Sequence, residues 1–260
     1  MRGLPIASLL GLAACDLAFG IEPPPDCPVL ADHDEDADGL DDNCDPCPFK
    51  PDNRGDDDDD GIADACDPEP AIPNVRLLFT GFGVGSLTAF SVTGGGGIAN
   101  DAFHVSTTAH LLWTSEPLDR VWIVAGVTVN ALGDGGYREI GVIVDGSPGP
   151  DARPNGTFCT FGKTGDGRSY IGNFIAARPA NDISIASSEP SFPIEGLVDG
   201  SLVAWHELAA SPSLTCAFRT ATSETSTSGT RTPAPPAGRI GLTALSIDAD
   251  FSYLFVVGRP

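Results

Sequence analysis

Lysine is nearly missing from this sequence. Only Lys50 and Lys163 occur, and Met1 is the sole methionine. Lys and Arg together number 14 against 36 Asp and Glu, a formal charge of -22. No basic patch exists to hold a phosphate backbone, so nucleic acid is excluded as a partner and polyanions are repelled. Helical signals are missing too, because no window joins a 3.6-residue apolar period to caps. What is abundant is 31 Gly and 23 Pro in a chain of 260 residues. That profile suits loop-rich β structure, and the length permits one medium domain with appendages or two small domains.

Residues 1–14 (MRGLPIASLLGLAA) read as an export signal, with Arg2 as a short positive start and Leu4–Leu12 as its apolar centre. That stretch is too short to span a bilayer. The tetrad Leu12-Ala13-Ala14-Cys15 resembles the lipobox of bacterial lipoproteins. The resemblance implies that the chain is cut before Cys15 and that its thiol is acylated. The chain would then be lipid-anchored to the bacterial cell envelope, at the outer membrane or cell surface. Asp16 favours inner-membrane retention in enterobacteria, a rule that varies between bacterial groups. Seven Cys is an odd number for an exported protein. With Cys15 lipidated, Cys27, Cys44, Cys47, Cys66, Cys159 and Cys216 remain, most simply as three disulfides.

The negative charge is concentrated. Cys15 to Pro70 holds 20 acids against Lys50 and Arg54, whereas Ala71 onward holds 16 against 11 bases. Residues 15–31 form a Pro-rich spacer, 32–69 the acidic segment and 70–74 (PAIPN) a stiff linker. Acid runs usually stay solvated and disordered. Here, however, DEDADGLDDNCD (34–45) and DDDDDGIADACD (56–67) superpose without a gap, an internal repeat of period 22. Both carry Asp at positions 1, 3, 5, 9 and 12, Gly at 6 and Cys at 11. Ca²⁺ takes six to eight oxygens, which a loop of about 12 residues supplies from positions 1, 3, 5, 7, 9 and 12, with Gly at 6 for the turn. The expected ligands are Asp34, Asp36, Asp38, the Leu40 carbonyl, Asp42 and Asp45 in the first loop. In the second they are Asp56, Asp58, Asp60, the Ile62 carbonyl, Asp64 and Asp67.

Pro46, Pro48, Pro51 and Pro68 rule out the flanking helices of an EF-hand. The segment instead resembles thrombospondin type 3 repeats, with pattern D-x-D-x-D-G-x-x-D-x-C-D and Cys-Pro and Asn between loops, here Cys47, Pro48 and Asn53. That resemblance implies loops wrapped around calcium ions with little apolar core. It also implies the pairings Cys27–Cys44 and Cys47–Cys66.

From Val75 the composition changes to about eleven short β-branched and aromatic runs bounded by turn residues. They are 75–81, 86–92, 102–113, 120–129, 138–145, 157–163, 168–177, 201–208, 213–221, 239–245 and 250–258. The Gly runs 81–85 and 93–97 read as hairpin turns. A mainly β, antiparallel two-sheet sandwich or barrel follows for 75–260. The closing GRIGLTALSIDADFSYLFVVG (238–258) resembles the last strands of concanavalin A-like (LamG-like) jelly rolls. The runs RVWIVAGVTV, EIGVIVD, SLVAWHEL and SLTCAFRTA fit the same order. Cys159 and Cys216 lie in two predicted strands, and a disulfide between them would pin strands or sheets.

This family includes glycoside hydrolases, lectins and adhesion modules, so the fold alone does not choose. Its hydrolases carry Glu-x-Asp-x-x-Glu on one strand, and that motif does not occur here. Glu139, Glu195 and Glu207 stand alone, EPLD (116–119) precedes a strand, and WHELA (205–209) lacks the second His of a zinc-protease helix. His104 and His110 share one β run but read as unrelated. Trp113, Trp122 and Trp205 sit in apolar runs and read as core; Tyr137 and Tyr170 are better candidates for an exposed sugar platform. The expected function is glycan or surface-protein binding by a calcium-carrying envelope protein that is not an enzyme. A carbohydrate-active enzyme and a purely structural protein are the alternatives.

Overall fold

A computed structural model of the chain describes residues 33–51, 55–115, 117–118, 120–149, 153–176, 183–190, 192, 194, 198–207, 212–231 and 236–259. The export signal, Cys15, the spacer and Cys27 lie outside the described residues. Among the described residues no helix is long and apolar enough to cross a membrane.

The described residues hold thirteen strands in order: β1 (Val75–Thr80), β2 (Phe90–Ala99), β3 (Ala102–Trp113), β4 (Arg120–Leu132), β5 (Arg138–Ser147), β6 (Asn155–Lys163), β7 (Ser169–Ala176), β8 (Ile183–Ser188), β9 (Val198–Glu207), β10 (Ser213–Arg219), β11 (Glu224–Thr230), β12 (Arg239–Leu245) and β13 (Ile247–Gly258). They hydrogen-bond in the order β11-β10-β9-β4-β13-β3-β12-β5-β6-β7-β8, with β1 also on β13 and β2 on β3. All pairings among these strands are antiparallel.

β13 turns this single path into two layers. One edge pairs with β4 along its whole length. The other edge is shared: Ala249–Phe251 pair with β3, and Leu254–Gly258 with β1. Register shifts after Asp248 and Phe251 bend the strand between them. The layer β11-β10-β9-β4 therefore comes to face β5-β6-β7-β8. Residues alternate in and out along each strand. Ile123 and Ala125 of β4, Leu202 and Ala204 of β9, Val142 and Val144 of β5, and Phe161 of β6 meet in one core. Phe161 stacks on Phe218 across the layers, 4.4 Å between ring centres. Cys159 of β6 and Cys216 of β10 are disulfide-bonded through the same core, their Cα atoms 5.5 Å apart.

Two expectations need correction. Residues 86–92 are not one strand: Ser86–Ala89 form a 3₁₀ turn and β2 starts at Phe90. The run Gly94–Gly97 is not a hairpin turn but the middle of β2, at a bulge against β3. Gly94 has φ 87°, and a Cβ on Gly96 would stand 2.5 Å from the Phe103 ring, so glycine is what allows the two strands to approach.

The acidic segment is not set apart from the sandwich but seated on it. Cys47, Ile62, Ala63 and Cys66 bury themselves against Val124, Val203, Ala217, Phe255 and Val257, on the outer face of the first layer. Phe49 stacks on Tyr253 with ring centres 5.0 Å apart. Arg76 donates to the carbonyls of Asp42, Asn43 and Asp45 at 3.3, 3.1 and 2.7 Å. At the far end Arg259 pairs with Glu69 through two hydrogen bonds. The linker is tied down as well, since the Asn74 amide N–H donates to Asp60 Oδ2 at 2.6 Å.

Candidate functional site

The two Asp loops share one backbone. Gly39 (φ 95°) and Gly61 (φ 86°) take the left-handed conformation that the sharp turn requires. In the first loop Asp34 accepts from the Asp38 and Gly39 N–H groups at 3.1 and 2.9 Å. Asp56 accepts from Asp60 and Gly61 at 3.0 and 2.9 Å in the second. These bonds turn the carboxylates inward. Asp34, Asp36 and Asp38 each offer an oxygen within 4.8 Å of the others, and so do Asp56, Asp58 and Asp60. Asp45 and Asp67 at position 12 lie in the field of these sets but outside the trios, accepting from the N–H of Cys47 and Glu69 at 2.6 and 2.8 Å. Position 9 is likewise outside them: Asp42 and Asp64 accept from the N–H of Glu35 and Asp57, at 3.4 and 3.0 Å. Leu40 at position 7 is exposed, whereas Ile62 is buried against the sheet.

Both carboxylate oxygens of Asp58, and Oδ2 of Asp36, are covered and receive no hydrogen bond. A covered carboxylate without a donor is costly unless a cation faces it. The donor set is all hard oxygen, which suits Ca²⁺. Cys47 and Cys66 are disulfide-bonded, Cα atoms 5.5 Å apart, closing the second loop. Cys44 is also disulfide-bonded; its expected partner, Cys27, lies outside the described residues.

Without a cation the crowding shifts the acids. Burial first, then the Glu35 carboxyl, pushes Asp42 up to about 8. Burial pushes Asp45 up to about 6 despite the bond from the Cys47 N–H. Both folded values exceed the ordinary carboxylate value of about 4. The ion-free folded state therefore holds protons that the unfolded chain has released, and stability falls as pH rises from about 4 to about 8. In EDTA the melting temperature is expected to drop between pH 5 and pH 8, and millimolar calcium should flatten that slope. A melting temperature that rises over this range in EDTA would contradict the sign.

A second feature lies on the outer face of the other layer. Residues of β5, β6, β7, β8 and β12 line a groove of about 460 Å³. Its floor holds Phe158 stacked on Phe174, rings 5.1 Å apart and 3° from parallel. Tyr137 stands at the groove, 60% exposed. Tyr170 lines it half-buried, its hydroxyl donating to Glu139 Oε2; burial, then that carboxylate, pushes the phenol up. His110 lies at one side, Nδ1 2.9 Å from Thr243 Oγ1. His104 is apart from it, Nδ1 2.8 Å from Asp250 Oδ1. Trp113 packs against the core as expected. Trp122 and Trp205 are half-buried cross-strand partners on the outer face of the first layer, where Trp122 packs against the cluster beneath the acidic segment rather than in the core between the layers.

Sequence reading missed a buried charged network between the layers. Asp145 binds Arg231 Nη1 through Oδ2, and its Oδ1 lies 3.2 Å from His206 Nε2, with all three side chains at most 1% exposed. Thr157 Oγ1 donates to Asp145 at 3.3 Å, and Arg231 Nη2 donates to the Glu207 carbonyl at 2.7 Å. Asp145 holds φ 56°, uncommon for a residue with a side chain.

The sequence matches no protein-family model and no curated protein. Solved structures do match in shape. The carbohydrate recognition domain of Emp47p superposes with TM-score 0.50 at 12% identity, over 66% of this chain and 89% of that one. The VIP36 exoplasmic/lumenal domain, solved with Ca²⁺ and Man3GlcNAc, gives TM-score 0.50 at 13% identity, over 65% of this chain and 83% of that one. Its Ca²⁺-bound form covers 70% and 88% with the same score and identity. At such identities the likeness is one of fold: the chain carries the antiparallel two-sheet sandwich of the concanavalin A-like kind that the sequence led us to expect.

Proposed function

We propose that this protein binds glycans through the groove on its second layer and holds calcium in its Asp loops. The observation that carries the glycan reading is the groove itself, which joins an apolar stacked floor to an exposed tyrosine and a few fixed polar groups. Saccharides are recognised by such pairing of ring faces with hydroxyl-bonding groups. The fold shared with carbohydrate recognition domains supports it. Glu139 is the one carboxyl among the described residues lining the groove, and it is engaged by Tyr170. Glycoside hydrolysis ordinarily uses two, so binding is favoured over turnover. The calcium reading rests on this chain's own loops: the three clustered Asp of each, the position 12 carboxylate in their field, the position 7 carbonyl and the uncompensated Asp58. Export and anchoring through Cys15 complete the proposal, placing the groove at the bacterial envelope.

The test is a glycan-array screen of the protein in calcium, beginning with mannosyl oligosaccharides such as the one bound to VIP36, then titration of the best ligand. Tyr137→Ala should weaken binding about three- to tenfold, on the scale of an aromatic contact of about 0.5–1.5 kcal/mol, without changing the melting temperature. No glycan retained at millimolar concentration would sink the reading, as would full affinity in the variant.

A further inference from the structure

The two Asp loops are not quite copies. Where the second has Gly55 and Asp57, the first has His33 and Glu35. The structure brings these two together with Asp42, one ligand atom from each within 4.8 Å of the others. His33 Nδ1 stands 3.8 Å from Glu35 Oε1. The Asp42 N–H donates to the His33 carbonyl at 3.1 Å and so fixes the two ends of the cluster. Asp42 is buried, and the Glu35 side chain is only 12% exposed. Glu35 Oε2 is fully covered and receives no hydrogen bond.

The loop after β1 leaves room for this cluster. A Cβ on Gly81 would fall 1.4 Å from Glu35 Oε1, and one on Gly83 would fall 2.1 Å from His33 Nε2. Side chains at those positions would fill the space that His33 and Glu35 occupy. The second repeat has no such arrangement, because Gly55 supplies no imidazole and a Cβ there would meet Asp64 Oδ2 at 2.3 Å.

We propose that His33, Glu35 and Asp42 form a binding site for a zinc-class divalent transition-metal ion, separate from the oxygen-only sets of the Asp loops. Calcium takes oxygen ligands, whereas an imidazole nitrogen with two carboxylates is a zinc-type set that leaves a fourth position open. Tetrahedral bonds of about 2.1 Å place ligand atoms about 3.4 Å apart. The separation between His33 and Glu35 needs little closure to reach that. The site would clasp the first repeat, whose Leu40 stays exposed, against the loop at Gly81–Gly83.

The inference does not depend on the calcium reading and is tested apart from it. The full chain is titrated with Zn²⁺ by calorimetry in 10 mM Ca²⁺, then again as His33→Gly, which installs the second repeat's residue, and as Glu35→Gln. One zinc ion is expected per chain, with affinity at least 100-fold lower in either variant and the melting temperature in calcium unchanged. Co²⁺ in place of zinc should give tetrahedral d–d absorption that His33→Gly abolishes. No binding at 0.1 mM Zn²⁺, undiminished affinity in either variant, or zinc displaced by calcium would each overturn the proposal.

Discussion

Replacing Asp145 with Ala is expected to destabilise the fold by about 3–5 kcal/mol, because it leaves the Arg231 guanidinium buried without its counter-charge. For a domain of this size roughly 2–4 °C are lost per kcal/mol, so the melting temperature should fall by about 10 °C. The network ties four places on both layers: Asp145 near the end of β5, Thr157 on β6, His206 on β9 and Arg231 after β11. Burial already holds the Arg231 guanidinium below its ordinary value. Taking away the carboxylate removes what compensates it. Two companions separate charge from backbone. Asp145→Asn keeps a residue type tolerated at φ 56° and should still lose most of the stability. Replacing Asp145, His206 and Arg231 together with apolar residues of similar size should recover much of it. Denaturant unfolding of the four proteins decides the matter. A loss below about 1 kcal/mol in Asp145→Ala would mean that water reaches the network.

That network also marks where the sequence stopped being readable. The runs 138–145 and 201–208 declare strands by their β-branched residues, and both are strands. Asp145 at the end of one reads as a turn residue, and His206 in the other reads as a stray fragment of a metal-site motif. Their partnership depends on β5 and β9 lying on opposite layers, and no local period encodes that. The two unread strands, β8 (ISIASS) and β11 (ETSTSGT), are the ends of the hydrogen-bonded path. A strand with one neighbour and little buried surface can be built of Ser and Thr, so the apolar signal is absent. Trp122 and Trp205 failed for a related reason. An apolar run does not say which face of its sheet the acidic segment will cover. The Asp loops were legible because their chemistry is local: Gly at position 6 and alternate Asp fix the turn within a dozen residues. What the pattern did not separate was the trio at positions 1, 3 and 5 from positions 9 and 12, since that split follows from hydrogen bonds to the N–H groups of Glu35, Asp57, Cys47 and Glu69.

Calcium removal should have the other large effect, unequally divided between the repeats. A site with Kd of about 10⁻⁴–10⁻³ M, usual for extracellular modules, adds roughly 1.4–2.7 kcal/mol at 10 mM calcium. Only a site whose loss unfolds the domain raises the melting temperature, so one such site adds about 5 °C. The second repeat is built into the sandwich. Ile62 and Ala63 pack under Phe255 and Val203, Cys66 is bonded to Cys47, and Asn74 links Asp60 and Asp67 to the start of β1. Loosening it uncovers the outer face of the first layer, so its calcium should register in global unfolding. The first repeat meets the sandwich through Arg76 and, by way of His33 and Glu35, the loop at Gly81–Gly83, and its Leu40 is exposed. Its calcium should register as local order instead. Asp58→Asn is therefore expected to abolish most of the calcium-dependent rise in melting temperature. Asp36→Asn should leave most of that rise intact and speed amide exchange across residues 34–45. Equal thermal effects from the two substitutions would mean that the repeats open as one unit. A melting temperature identical in 10 mM calcium and in EDTA would mean that the loops hold no calcium.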